Sequence, residues 1–216
     1  MLKRYSQEIS VFRKESGDGL RVGRHERTAL VIDCSGSMAY RDWKGQRIKA
    51  AKNAAIEFVD KKLEIDKNDE IGLVWFSSKA AIEVPLLTVG DNYRTIVDGI
   101  NRLSPTFSTN MVAGLEMAGS VLGLPWGTLY GDERIILLSD GAHTDSGNPV
   151  THANMLKQLG VIIDCIGIGT KTGVDEKTLK AIASVVNGKV RYRWIGDEET
   201  LVKHFAELSN KLILDR

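Results

Sequence analysis

The chain has 216 residues, 43% of them hydrophobic and 26% charged, with 29 Lys and Arg against 28 Asp and Glu. Such a composition supports one sizeable core and excludes a disordered chain, and the near-neutral balance excludes a nucleic-acid binder that works through bulk electrostatics. No run approaches the roughly 20 apolar residues of a membrane span, and the opening MLKRYSQEIS has no apolar signal stretch, so the expectation is a cytoplasmic monomer with neither a membrane nor a nucleic-acid partner.

Residues 1–27 carry seven basic side chains against four acidic ones, a local excess of +3 in a chain whose total is +1. They read as an N-terminal extension, either an edge hairpin or a mobile arm. From there short apolar runs alternate with amphipathic segments. Ala29 to Asp33 is a buried-strand run, followed by Ile48, Ala51, Ala55, Phe58, Val59 and Leu63 at helical spacing. Ile71 to Phe76 reads as a second buried strand, and Ala80 to Leu87, interrupted by Pro85, as an edge strand. Helices are expected over Tyr93 to Leu103 and Asn110 to Leu122. Arg134 to Asp140 is a strand, a helix opens near Pro149, and Val161 to Gly169 is a further buried strand. Leu179, Ile182 and Val186 mark a helix, Val190 to Trp194 a last strand, and Leu201, Phe205, Leu208 and Leu212 the closing helix. All four prolines (Pro85, Pro105, Pro125, Pro149) fall at edges or junctions of this scheme.

Continuous apolar strands alternating with helices are the pattern of a parallel sheet covered on both faces. The reading is one doubly wound α/β domain over residues 28–216. Cys34 and Cys165 are too few for a disulfide framework or a Cys-based zinc site and suit buried thiols. A single bridge between them stays open at this point.

Chemistry concentrates in ALVIDCSGSM. Asp33 ends a buried strand, and Ser35 and Ser37 follow at alternate positions. In open α/β sheets, ligands bind outside the carboxyl ends of the strands, so one carboxylate and two hydroxyls are aimed into that crevice. Asp and Ser also favour turns and helix caps, which is the plainer role for these three. Two later segments look like partners: Thr109, in a loop before a helix, and Asp140, at the end of the RIILLSD strand. Two carboxylates and three hydroxyls are hard oxygen donors, suited to Mg²⁺ or Mn²⁺ and poorly suited to zinc or copper. They also leave room in a six-oxygen shell for water and one outside ligand.

Asp33-Cys34-Ser35-Gly36-Ser37, then Thr109, then Asp140 in a Ser-Asp-Gly strand end, resembles the von Willebrand factor A domain of the intracellular prokaryotic type, in the order of its metal-ion-dependent adhesion site. The resemblance covers about residues 28–216. It implies a Rossmann-like, mostly parallel sheet with one antiparallel edge strand and helices on both faces. It implies metal binding by Ser35, Ser37 and Thr109 directly, with Asp33 and Asp140 acting directly or through water. The ion's last ligand is then a carboxylate of a partner protein, with a MoxR-type AAA+ ATPase or a kinase and phosphatase system as family expectations. The implied sheet order separates the Cys34 and Cys165 strands by another strand, too far for a bridge. Many members carry glycines before the threonine, where this chain has Phe107 and Ser108. Phe107 either offers a partner an apolar contact or packs inward.

Other features read more plainly. GIGTKTG (Gly167 to Gly173) fits neither phosphate-loop pattern and reads as a strand-to-helix loop. His143 and Asp145 read as solvated loop residues, and the four histidines show no ligand spacing. Trp43 is either a contact anchor or core. The rival function is a Mg²⁺-dependent phosphoryl-transfer enzyme of the haloacid-dehalogenase type, which places an Asp after its first strand but needs a second Asp two residues on. Ser35 stands there, and no catalytic residues are expected.

Overall fold

The computed structural model describes residues 25–43, 45–106, 108–124, 132–140, 144 and 146–210. The expectations for residues 1–24, Phe107, Pro125, His143, Asp145 and Leu212 lie outside that range.

Six strands build the central sheet. They are β1 (Arg27–Asp33), β2 (Glu70–Phe76), β3 (Ala80–Thr88), β4 (Glu133–Ser139), β5 (Ile162–Ile168) and, after a two-strand hairpin of β6 (Val185–Val186) and β7 (Lys189–Val190), β8 (Tyr192–Ile195). Their order is β3-β2-β1-β4-β5-β8. Every neighbouring pair is parallel except β2 with β3. Pro85 sits in β3, the antiparallel edge, where a missing N–H is tolerated.

The helices are α1 (Arg47–Ile65), α2 (Val89–Arg102), α3 (Met111–Val121), α4 (Pro149–Gln158), α5 (Glu176–Ile182) and α6 (Glu198–Leu208). Strand side chains alternate between two cores. Leu30, Ile32, Ile136 and Leu138 point to one face, where they meet Phe58 of α1, Ile96 of α2 and Phe205 of α6. Ala29, Val31, Ile135 and Leu137 point to the other, against Leu115 of α3, Ala153 of α4 and Leu179 of α5. This period of two across a sheet buried on both faces is what the continuous apolar runs required. Cys34, just after β1, and Cys165, in β5, are free, buried thiols, and β4 lies between those two strands. Among the described residues, no helix is long and apolar enough to cross a membrane.

Three expectations are corrected. Val186 is not helical, because α5 stops at Ile182 and the chain turns back as a hairpin. Asn187 and Gly188 take positive φ of 49° and 74° between the pairs Val185↔Val190 and Val186↔Lys189. Asn-Gly between two short strand segments is a strong two-residue hairpin signal, and it outweighs the helical spacing of Val186. The last strand therefore starts at Tyr192, with Val190 in the hairpin. The helix read from Tyr93 also begins earlier, at Val89, with a kink at Asn92.

The two ends of the sheet differ. At the amino end, Lys62 of α1 is fully buried and pairs with Asp69 at 2.9 Å and Glu26 at 3.2 Å. Arg134 of β4, also fully buried, pairs with Glu26 and Asp164 and donates to the Leu208 carbonyl of α6 at 2.5 Å. These ions tie α1, β2, β4, β5 and α6 into one closed base. Replacing Lys62 by Met keeps the volume but leaves two buried carboxylates without their shared cation, so Lys62→Met is expected to lower stability by about 3–5 kcal/mol. Urea denaturation measures this, and an unshifted midpoint would mean that water already solvates the pair.

Candidate metal centre

The chain winds from β1 outward through β2 to β3, then returns to the far side of β1 for β4, β5 and β8. β1 and β4 thus flank the point where the winding reverses, and side chains beyond their carboxyl ends stand where open α/β sheets bind ligands. Asp33 closes β1, and Asp140 follows Ser139, the last residue of β4. The pairing Ile32↔Leu138 brings those two strand ends level.

Asp33 is fully buried. Its Oδ1 accepts the Ser35 N–H at 2.7 Å and its Oδ2 accepts the Ser139 hydroxyl at 2.6 Å. The Ser35 and Ser37 hydroxyls are 3.1 Å apart, and Ser37 Oγ donates to Asp140 Oδ1 at 2.6 Å. A 3-10 turn over Gly36–Ala39 carries Ser37, and Ser35 stands just before it with no side-chain capping bond. The plainer role of turn chemistry therefore holds for Asp33 Oδ1 but not for the Ser35 hydroxyl.

Thr109 is buried at the same end of the sheet. Its loop is tied down on both sides, with Thr106 N–H donating to the Cys34 carbonyl and Asn110 N–H to the Ser77 carbonyl, each at 2.6 Å. Its own backbone pairs with Thr144, N–H to Oγ1 at 3.1 Å and carbonyl from the Thr144 N–H at 3.0 Å. Asn110 then caps α3 through the Ala113 N–H. Ser108 is exposed, and Trp43 is half-buried against the core. The structure thus brings Asp33, Ser35, Ser37 and Asp140 into one hydrogen-bonded set and holds Thr109 in a loop anchored beside it.

The donor set fits a small, hard cation. An octahedral ion with bonds of about 2.1 Å has neighbouring ligands about 3.0 Å apart, and the Ser35 and Ser37 hydroxyls stand at 3.1 Å. Burial pushes the Asp33 carboxyl up to about 6, helped by the charge of Asp140 and opposed by the Ser139 and Ser35 bonds. Burial raises Asp140 as well, against the pull of Ser37 and Arg47. Two carboxylates short of water are where a divalent cation is electrostatically favoured.

Sequence reasoning missed two residues here. Ser139 holds the second oxygen of Asp33. Arg47 donates from Nη1 to Asp140 Oδ2 at 2.8 Å and pairs on its other side with Asp42. The available signal for Arg47 was its position, because it opens a helix with no acidic residue in the first turn, where the helix dipole disfavours a cation.

Two other features lie elsewhere. His25, Asp66 and Asp69 place ligand atoms within 4.8 Å of one another, but they precede β1 and β2 at the closed base. Asp69 there already accepts the buried Lys62 ammonium and the Glu26 N–H, which works against a second cation. A cavity of about 580 Å³ opens along β8 and α6, and none of the five crevice residues lines it.

The von Willebrand factor type A domain model matches residues 28–143, and the chain belongs to that family. A UPF0353 protein of Mycolicibacterium paratuberculosis is 32% identical over 183 residues, covering 74% of this chain and 53% of the relative. The chain spans about half the length of the curated relatives it matches. Among solved structures, a von Willebrand factor type A protein from Catenulispora acidiphila superposes with a TM-score of 0.72 at 24% identity, covering 86% of this chain and 42% of that one. Proximal thread matrix protein 1 from the mussel byssus, in a form with a zinc-occupied metal-ion-dependent adhesion site, gives a TM-score of 0.70 at 22% identity, covering 86% and 47%. At these identities the two structures show a shared fold.

A divalent cation held here would compete with protons for Asp33. The raised value means that the folded domain without metal holds this proton more tightly than the unfolded chain, so ionising Asp33 costs stability as pH rises through about 6. Cation binding would need the ionised form, so Mg²⁺ affinity is expected to be near full at pH 7.5 and to fall as pH drops through about 6. Calorimetric Mg²⁺ titrations at pH 5.0 and 7.5 measure this, and equal affinities would remove Asp33 from the ligand set.

Proposed function

We propose that this domain is a metal-dependent protein-interaction module that grips an Asp or Glu carboxylate of a partner protein. The observation that carries the reading is the oxygen chain Ser35–Ser37–Asp140 at the carboxyl end of the sheet, with neighbouring oxygens 2.6–3.1 Å apart, and Asp33 joined to it through the Ser35 N–H at 2.7 Å. Mg²⁺ is the proposed ion, with Mn²⁺ as its substitute, and Thr109 completes the direct ligands. Such an ion supplies an electrophilic position for one anionic oxygen from outside. The zinc in the mussel protein's site makes zinc a necessary control, although the all-oxygen donor set favours harder ions.

The chain's own residues divide the work. Ser35 and Ser37 contribute neutral oxygens, so they add no negative charge to that of Asp33 and Asp140. Ser139 and the Ser35 N–H fix both oxygens of Asp33, so the carboxylate is oriented before anything binds. The exposed Tyr40, at 61% of its full exposure, stands three residues beyond Ser37 and offers an arriving partner an aromatic contact.

A haloacid-dehalogenase-like phosphatase would need a carboxylate as general acid at position 35, where the Ser35 hydroxyl stands 3.1 Å from that of Ser37. Family members generally act as interaction modules, which agrees with a binding role and no catalytic residues. A cytoplasmic setting, where Mg²⁺ is abundant, suits the proposal. The partner is a protein with an exposed acidic residue, of which a MoxR-type ATPase is one candidate.

Partner capture on the immobilised domain tests this, run in Mg²⁺, in EDTA, and with Asp33→Ala. Bound partner should be released by EDTA, absent with Asp33→Ala, and lost when its own contacting Asp or Glu is changed to Asn or Gln. Capture that survives all three changes would overturn the reading.

A further inference from the structure

Arg47 places a second positive charge in the crevice. It is the first residue of α1, and its N–H donates to the Tyr40 carbonyl at 3.2 Å, which ties the helix start to the end of the Ser37 turn. The side chain is only 7% exposed. Nη1 donates to Asp140 Oδ2 at 2.8 Å, Nε reaches the two oxygens of Asp42 at 2.9 and 3.1 Å, and Nη2 pairs with Asp42 as well. The Tyr40 ring lies 5.3 Å from the guanidinium carbon.

This seat is built for a guanidinium. Gly169, just beyond β5, lies against it with φ of +104°, and a Cβ there would stand 2.8 Å from the guanidinium carbon. Two carboxylates, a glycine contact and an aromatic face hold a charge that is never lost in the accessible pH range. The helix start does not favour it, so the carboxylates must.

The two oxygens of Asp140 are therefore unequal. Oδ1 accepts from Ser37 and faces the proposed metal ligands, while Oδ2 is neutralised by Arg47. Two cations on one carboxylate repel, and at a few ångströms in a half-buried site that repulsion is large.

We infer that Arg47 is an internal counter-cation that sets the affinity of the metal centre. It shares Asp140 with the divalent ion, keeps that ion short of negative charge, and so makes firm binding depend on a carboxylate from outside. Asp42 tunes the effect, because it draws the guanidinium charge away from Asp140. This inference rests on the metal reading above and adds what limits the metal's hold.

Mn²⁺ titration, followed by electron paramagnetic resonance of the free ion, tests it on the unaltered protein, Arg47→Met, Arg47→Lys and Asp42→Asn, with thermal melts to confirm folding. Arg47→Met should bind Mn²⁺ at least about tenfold more tightly. Asp42→Asn should bind several-fold more weakly, and Arg47→Lys should stay within about threefold of the unaltered protein. Opposite signs for Arg47→Met and Asp42→Asn support the inference, because the two changes alter the local charge in opposite directions. If Arg47 only braces the loop, both variants and Arg47→Lys bind more weakly, which overturns it. If Arg47→Met does not fold, the other two variants decide: near-normal binding by Arg47→Lys with weaker binding by Asp42→Asn supports it, and weak binding by Arg47→Lys overturns it. Equal affinity in all four overturns the inference while the metal reading stands. No Mn²⁺ uptake by any of them overturns both.

Discussion

Burying the Asp33 carboxylate at the end of the central strand is the constraint that organises the upper half of this domain. A carboxylate without water must find donors or a cation. Its backbone neighbour two residues on and the hydroxyl ending the adjacent strand supply the donors. They leave a raised affinity for protons, and hence an electrostatic demand that a divalent ion would meet. The 3-10 turn that carries Ser37, the loop that carries Thr109 and the start of α1 are all arranged around that point.

The same strand solves the opposite problem at its other end. There the buried Glu26, Asp69 and Asp164 are matched by the buried Lys62 and Arg134 and by Arg191, which pairs with Asp164 at 2.6 Å. Complete pairing makes a base that holds helices in place. At the top, Asp33 and Asp140 carry two negative charges against the single cation Arg47, itself shared with Asp42. The imbalance sits in the crevice where the winding reverses, so the fold and the charge pattern point to one place for a ligand.

Much of this was legible in the sequence. Apolar runs such as Ile71 to Phe76 and Arg134 to Asp140 identified a doubly buried sheet, because the pattern is local and the packing follows from it. Asp33, Ser35 and Ser37 stood out by their spacing after a strand, Thr109 and Asp140 by their places before a helix and at a strand end, and the family order joined the five. The Val186 hairpin was written in Asn187-Gly188 and was masked by a competing helical spacing. Arg47 was hidden for a different reason. Its partner Asp140 is 93 residues away, and its glycine contact comes from a third strand, so only the folded chain joins them. Ser139 likewise looked like an ordinary strand residue until the register set it beside Asp33.

The most direct test is a crystal structure of the domain soaked in Mn²⁺, with anomalous scattering used to place the ion. One ion bound by the hydroxyls of Ser35 and Ser37, with oxygen ligands at about 2.1–2.2 Å and Asp33 and Asp140 alongside, is the predicted result. An ion found only at His25, Asp66 and Asp69, or none at all in crystals grown above pH 7, would contradict it.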